Sequence, residues 1–268
     1  MTVKGTNMGI ITVTRGSYSS GKEIAEKVAQ ELGYDCISRE VILEASKEFN
    51  IPEIKLIQVF EAAPSILDRF TRRKQKYVAY TQSTLLDYLT KGKVVYHGFA
   101  GHFFVEGISH VLKVLITANL DHRAGIVMER DRISRPEALR YIKRIDEQRR
   151  KWGQRLYGIH PWDPRLYDLV LHIDKITIDD AVNTISQIAR LRQFQPTSES
   201  RKALEDLALT AKVKNFLIDV KPKVDVRVEN KFVFLKTQVP LTQESEVVNK
   251  MGDIMKGISG VRGIKVVK

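Results

Sequence analysis

The residues best suited to chemistry form a glycine-bounded run, Gly16-Ser-Tyr-Ser-Ser-Gly21-Lys22. Ahead of it, Ile10 to Val13 reads as a short buried strand. Behind it, Ile24, Val28 and Leu32 recur every four residues, the spacing of an amphipathic helix. Strand, glycine-bounded loop and helix together make the setting of a loop that cradles phosphates. Gly16 and Gly21 let the backbone turn tightly and bring its N–H groups to phosphate oxygens. The first helical turn adds partial positive charge, and Lys22 reaches the terminal phosphates as a point charge. Ser17, Ser19 and Ser20 supply loop hydroxyls. The hydroxyl residue that follows such a lysine and helps hold Mg²⁺ is absent: Glu23 stands there, followed by Ile24. The competing reading is a Gly/Ser turn before a surface helix, with Lys22 and Glu23 solvated.

Two basic groups have the right chemistry to serve such a loop. Residues 129–168 are rich in arginine, including Arg144, Arg149 and Arg150. Phosphoryl transfer is mostly positioning and charge neutralisation, which guanidinium groups closing over the phosphate supply. Arg144, Asp146, Arg149 and Arg150 span one to two helical turns, so several can face one way. Against this stands a salt-bridged surface helix with Glu137, Asp146 and Glu147 as partners. Arg69, Arg72, Arg73, Lys74 and Lys76 form the second group, interleaved with Phe70, Tyr77 and Tyr80. A nucleotide clamp uses cations on phosphate and an aromatic under the base, whereas a plain amphipathic helix buries the aromatics and solvates the cations. His97 and His102 flank a turn, His97-Gly98-Phe99-Ala100-Gly101-His102, and read as loop histidines. No zinc-type spacing appears, so no metal ligand set is assigned.

The elements that must position these groups alternate. Nearly all-apolar strands are expected at Ile10–Val13, Tyr34–Ile37, Val94–Tyr96, Val111–Thr117 and Leu169–Ile173, with helical stretches between them. Breaks are expected at Asn50-Ile-Pro52, at Pro64 and near Pro136. Such alternation predicts an α/β fold, a mainly parallel sheet flanked by helices on both faces. Ligands of these sheets sit beyond the carboxyl ends of the strands, where the Gly16 loop, the Ser38 turn and the His97–His102 turn all fall. Gln193 to Ser200 is polar and Pro-containing and reads as a linker, separating a domain over 1–195 from one over 201–268. The second starts with a helix from Ala203 to Asp219. Val224, Val226 and Val228 then alternate toward an Asn230-Lys231 turn and a second arm at Phe232–Phe234. A helix over 243–255 and a strand over 261–267 complete a small α+β unit of order αββαβ.

The chain has 268 residues, 43% of them hydrophobic, enough for a real core. Cys36 is the sole cysteine, which precludes an internal disulfide and suits a reducing compartment. No apolar run approaches the roughly 20 residues of a membrane span. The first eight residues lead straight into a strand, leaving no room for a signal peptide. A soluble, cytoplasmic protein is expected. Net charge is +12, which favours anionic partners such as nucleotides, nucleic acid or anionic lipid. No groove-reading motif is present, so nucleic acid is ranked last.

Taken in order, IITVTRGSYSSGKEIAEKVAQELGYDCISREVI, VVYHGFAGHFF, VLKVLITANLDHRAGIVMERDRIS and IDEQRRKW…YDLVLHID resemble the cytidylate kinase-like family of P-loop nucleoside monophosphate kinases. The resemblance spans about residues 9–190. It implies transfer of the ATP γ-phosphate to a nucleoside monophosphate, CMP or dCMP first, with Mg²⁺. It assigns Gly16, Ser19, Ser20, Gly21 and Lys22 to the phosphate loop, and Arg144, Asp146, Arg149 and Arg150 to the lid. Ser38, Arg39, Gly98 and Gly101 fall near the acceptor, with Arg69, Arg73 and His97 as further acceptor contacts. Asp168 and Asp174 bracket the last strand. Phe99 stands where the family has an arginine, and Ser38 where it often has an aspartate. From Ala203 the tail resembles a BON domain in its Val224–Val228 arm, NKFVFLKTQVP hairpin and GISGVRGIKVV ending, with Thr237 in place of the usual glycine. That resemblance implies contact with phospholipid or a small ligand. The expected function is therefore a nucleotide kinase, and the alternative is a catalytically silent nucleotide sensor signalling through the tail.

Overall fold

The computed structural model describes residues 9–53, 55–56, 72–98, 100–218, 224–236, 252–254 and 256–267. Of Arg39, Arg72, Arg73 and Lys74 only the backbone is described. Arg69, Phe70, Phe99 and the expected break at Pro64 lie outside the described residues, as does most of the helix expected over 243–255.

The larger sheet has five parallel strands: β1 Ile10–Arg15, β2 Asp35–Ile37, β3 Val94–His97, β4 Val111–Ala118 and β5 Leu169–Ile173. Their order is β2-β3-β1-β4-β5. The order reverses about β1, which places a crevice for ligand at its carboxyl end. Between the strands run α1 Gly21–Leu32, α2 Arg39–Glu48, α3 Arg72–Thr90, α4 Gly101–Phe104, α5 Leu120–Asp131, α6 Arg135–Tyr157 and α7 Ile178–Ala189. Alternate β1 residues feed opposite cores. Ile11 and Val13 pack with Val28 of α1 and Ile185 of α7. Ile10 packs on the other face with Leu85, Leu86 and Trp152. Both faces are buried at the inner strands β1, β3 and β4, which explains their largely apolar runs, while the edge strands β2 and β5 are partly exposed.

The expected break near Pro136 falls slightly earlier. Arg132 adopts φ 55°, Ser134 and Glu137 form a capping box, and Pro136 sits in the first turn of α6. There its missing N–H costs nothing, so it starts a helix. The expected linker is also shorter than its composition suggests. Arg192–Phe194 forms one 3₁₀ turn, and α8 begins at Ser198, capped by the Thr197 hydroxyl.

α8, Ser198–Leu217, serves two cores. Leu204, Ala208 and Ala211 pack into the larger body, while Leu209, Val213 and Leu217 pack on a second sheet. That sheet is mixed: β6 Asp225–Glu229 pairs antiparallel with β7 Phe232–Lys236, which pairs parallel with β8 Gly263–Val267. Asn230 and Lys231 both take positive φ, the geometry of a two-residue hairpin. The Asp206 carboxylate of α8 accepts from both of their amides, at 2.7 and 2.9 Å. Helical residues at 252–254 and 256–257 precede β8. No helix among the described residues is long and apolar enough to cross a membrane.

Glycine shapes the crevice wall at the end of β3. The Tyr96 ring, fully buried, fills the space that side chains at positions 98 and 101 would need. A Cβ on Gly101 would stand 2.6 Å from the ring, and one on Gly98 closer still to the phenol oxygen. Gly101→Ala is expected to cost about 1–3 kcal/mol through overpacking. In a urea-denaturation cycle, Gly101→Ala and Tyr96→Leu should be non-additive by at least about 0.5 kcal/mol; additive losses would contradict this packing.

Candidate phosphate-binding site

The loop joining β1 to α1 is held open from both ends. Gly16 N–H donates to Ile116 O of β4 at 2.9 Å, and the Ser19 hydroxyl lies 3.0 Å from both Gly16 O and Ile116 O. Tyr18 and Ser20 take positive φ, near 60°, a conformation uncommon outside glycine. At Gly21 a side chain would meet the Arg15 Cβ at 2.7 Å, so this glycine is required by close approach. Ile24 N–H is the first helical amide to bond back, to Ser20 O at 3.1 Å. The N–H groups of Gly21, Lys22 and Glu23 are thus orphan donors at the helix start, aimed for an anion.

Arg123, from the first turn of α5, closes the loop's other side. Its Nε donates to Ser17 O at 2.6 Å, and its Nη2 lies 2.6 Å from Ser17 Oγ and 2.7 Å from Asp146 Oδ2 of α6. Ser17 Oγ in turn donates to Asp146 Oδ1 at 2.5 Å. One guanidinium, one hydroxyl and one carboxylate so lock the loop to two helices. Arg149 of α6 donates to Arg15 O at 3.1 Å, at the loop's base. Burial and the nearby Arg15 cation hold the Arg149 guanidinium down to about 10. Burial also lowers the Arg15 guanidinium. Tyr18, at the loop tip, carries Arg130: its guanidinium lies 4.6 Å from the ring centre and donates to the phenol at 2.9 Å.

The residues singled out in the sequence are only partly gathered here. Gly16, Ser17, Ser19, Ser20, Gly21, Lys22 and Glu23 form the loop and the first turn. Lys22 is exposed and pairs with Glu26 at 3.6 Å, and Glu23 pairs with Lys27 at 3.3 Å. Of the three lid arginines, Arg149 reaches the loop. Arg144 lies against Tyr141, and Arg150 is bound to Glu147 at 2.7 Å. Ser38 precedes α2, where its N–H donates to Glu40 at 2.7 Å. The backbones of Arg39 and Arg73 begin α2 and α3. Asp168 accepts from Lys113 N–H at 2.8 Å and Asp174 from Asn119 at 3.0 Å, tying β5 to β4. Among the described residues no cluster of His, Cys, Asp and Glu is arranged to hold a metal.

His97 and His102 are buried, unlike ordinary loop histidines. His97 ends β3 beside β1, with its Nδ1 lacking a hydrogen-bond partner. His102 Nδ1 lies 2.9 Å from Thr14 Oγ1, linking α4 to β1. Arg123 and Arg15 escaped the sequence reading. Their signals were positional: Arg15 is the last residue of β1, and Arg123 stands in the first turn after β4.

Two predictions follow from these contacts. Asp146→Ala removes the partner of a largely buried guanidinium and is expected to cost about 2 kcal/mol or more. Hydrogen exchange at residues 16–20 should accelerate with it; unchanged exchange would contradict the clasp. Burial lowers His97 to about 4 and His102 to about 3. The unfolded chain, titrating near 6.5, takes up protons first as pH falls. This stabilisation is whole above about pH 6.5 and is lost as pH drops toward 4. Thermal melts of His102→Gln should therefore show a shallower fall of Tm from pH 7 to 4.5 than the parent, and equal slopes would contradict a neutral buried imidazole.

Known proteins share part of this sequence and its fold. A cytidylate kinase of Ignicoccus hospitalis is 27% identical over 180 residues, covering 66% of this chain and 98% of its own. One from Pyrobaculum neutrophilum is 28% identical over 178 residues, covering 65% and 89%. An uncharacterized protein from Eubacterium ventriosum shares the fold with a TM-score of 0.51 at 19% identity, over 68% of this chain and 99% of that one. The model of the cytidylate kinase-like family matches residues 10–175, the span that holds the five-stranded sheet, the glycine-bounded loop and the arginine-bearing helices; the chain belongs to that family.

Proposed function

We propose that this chain is a nucleoside monophosphate kinase that transfers the γ-phosphate of ATP to CMP, dCMP or a related nucleotide. The observation that carries the reading is the gathering of Arg15, Arg123 and Arg149 around a loop whose helix-start amides have no backbone acceptor. Arg15 and Arg149 repel one another, and burial penalises both. A polyphosphate between the loop and α6 relieves both penalties, because buried cations are stabilised by paired anions.

In this reading the amides of Gly21, Lys22 and Glu23, with the loop from Gly16 through Ser20, hold the ATP phosphates. Lys22 swings from Glu26 to the transferred group. Arg149, joined by Arg144 and Arg150, neutralises charge on the phosphoryl group in flight. Ser38, Arg39, Arg69, Arg73, His97, Gly98 and Gly101 are assigned to the acceptor nucleotide. Mg²⁺ takes mostly phosphate and water oxygens, needing one or two from protein, and Glu23 is the carboxylate on the first turn that can provide one. The metal would offset phosphate charge. The kinase unit is assigned to 1–195 and a BON-like unit to 201–268, the latter offering contact to anionic lipid or a small ligand. A location in the cytoplasm accords with this assignment.

One observation favours a second reading, a nucleotide sensor without turnover: Glu23 replaces the Mg²⁺-binding hydroxyl and is engaged by Lys27. ADP release from ATP and Mg²⁺ with a panel of nucleoside monophosphates separates the two. The kinase predicts turnover with at least one acceptor and a loss of at least about a hundredfold in Lys22→Ala, as expected when a charge-stabilising group is removed. Binding of ATP without turnover for any acceptor would reject it and leave the sensor.

A further inference from the structure

The start of α8 faces the turn between β6 and β7 and the turn before β8 across a cleft of about 600 Å³. The cleft lies at the opposite edge of the larger sheet from the phosphate loop. Arg201 and Glu205, two of its wall residues, also border Ile10, Gly92 and His110, which stand at or just before the starts of β1, β3 and β4.

Its walls are polar and basic. Arg201 and Lys202 come from α8, Lys231 from the hairpin turn and Arg262 from the turn before β8. Glu205 and Asp206 also line it, each four residues after a cation on α8, the spacing of a helical ion pair. Neither pair forms. Glu205 bonds Lys231 at 3.0 Å, and Asp206 is taken by the Asn230 and Lys231 amides. Glu199 is turned back to its own amide and the Thr197 hydroxyl, which with the nearby Lys202 charge hold its carboxyl below the usual range. Among the described residues, the side chains of Arg201, Lys202 and Arg262 have neither an ion pair nor a hydrogen bond. All three are exposed, so their donors are open to a ligand. Exposed cations are ordinarily just solvated; these converge on one concavity whose carboxylates are committed elsewhere. The same bonds fix their spacing, since they tie the hairpin to α8, and Arg262 N–H donates to Lys231 O at 2.9 Å. A cleft lined by one sign of free charge focuses its field and concentrates counter-ions. Guanidinium groups suit phosphate, which each can meet with two N–H donors. Ser198 and Asn230 add uncharged polar groups to the same walls.

We propose that this cleft binds a small soluble anion carrying two or more phosphate groups, with Arg201 and Arg262 holding phosphates from two walls and Lys202 adding charge. This site is distinct from the phosphate loop and does not depend on the kinase reading. Its ligand spans α8 and the second sheet, so occupancy strengthens the seam between them.

The test is ¹H–¹⁵N NMR titration of the full chain with inorganic pyrophosphate at constant ionic strength. Saturable shifts of the Lys202, Asn230 and Arg262 amides are expected, in Lys22→Ala as in the parent. Arg201→Gln and Arg262→Gln should each weaken that binding about tenfold or more, the equivalent of one lost charged hydrogen bond. Both side chains are exposed, so neither substitution puts the fold at risk. The proposal is overturned if these amides stay in place while only residues 16–23 respond, or if affinity is the same in both variants. It is equally overturned if potassium chloride reproduces the shifts, or if the amides move only with vesicles containing phosphatidylserine.

Discussion

The structure depends on how a backbone loop can be kept rigid while its donors stay unused. A bend between β1 and α1 leaves the amides of Gly21, Lys22 and Glu23 without backbone acceptors, a state that water would relax unless other contacts fix the loop. Those contacts come from side chains and from β4. Arg123 holds Ser17 by its carbonyl and hydroxyl, Asp146 holds Arg123 and Ser17, and Ile116 O receives Gly16 and Ser19. The sheet order with β1 in the centre lets β4, α5 and α6 all supply groups to one loop. An anion site prepared in this way needs little rearrangement when the anion arrives.

Much of the fold was legible because both faces of the sheet are covered. The inner strands of the larger sheet were evident as largely apolar runs and the edge strands as shorter mixed ones, and Gly16, Gly21 and Lys22 marked the loop. The hairpin of the second sheet was visible in the Val224–Val228 alternation and the Asn230-Lys231 turn. Boundaries set by caps were harder to read. Thr197 starts α8 inside a segment whose composition suggests a linker, since a capping hydroxyl and a polar linker look alike in sequence. Pro136 marked the break between α5 and α6 but not on which side of it the helix resumes, because proline breaks a helix or begins one according to position.

The site was legible in its backbone and less so in its charges. The excess of arginine after β4 was plain, yet composition could not tell which guanidinium turns inward. Arg150 is captured by Glu147 three residues earlier, while Arg149, one residue away, reaches Arg15 O. That 100° rotation around the helix is decided by packing. Arg123 carries the loop, yet it lies more than a hundred residues from Ser17 in sequence, and no local pattern connects them. The buried state of His97 and His102 likewise follows from glycines that admit Tyr96 and bring α4 against β1.

The central claim is that the Gly16–Glu23 loop receives a nucleotide polyphosphate. It is tested most directly by an NMR titration of the ¹⁵N-labelled chain with ADP, following the amides of Gly16 through Glu23. Saturable downfield shifts at Gly21, Lys22 and Glu23, reproduced by inorganic pyrophosphate, are the predicted result. Loop amides that stay in place while ADP perturbs another surface would contradict the account.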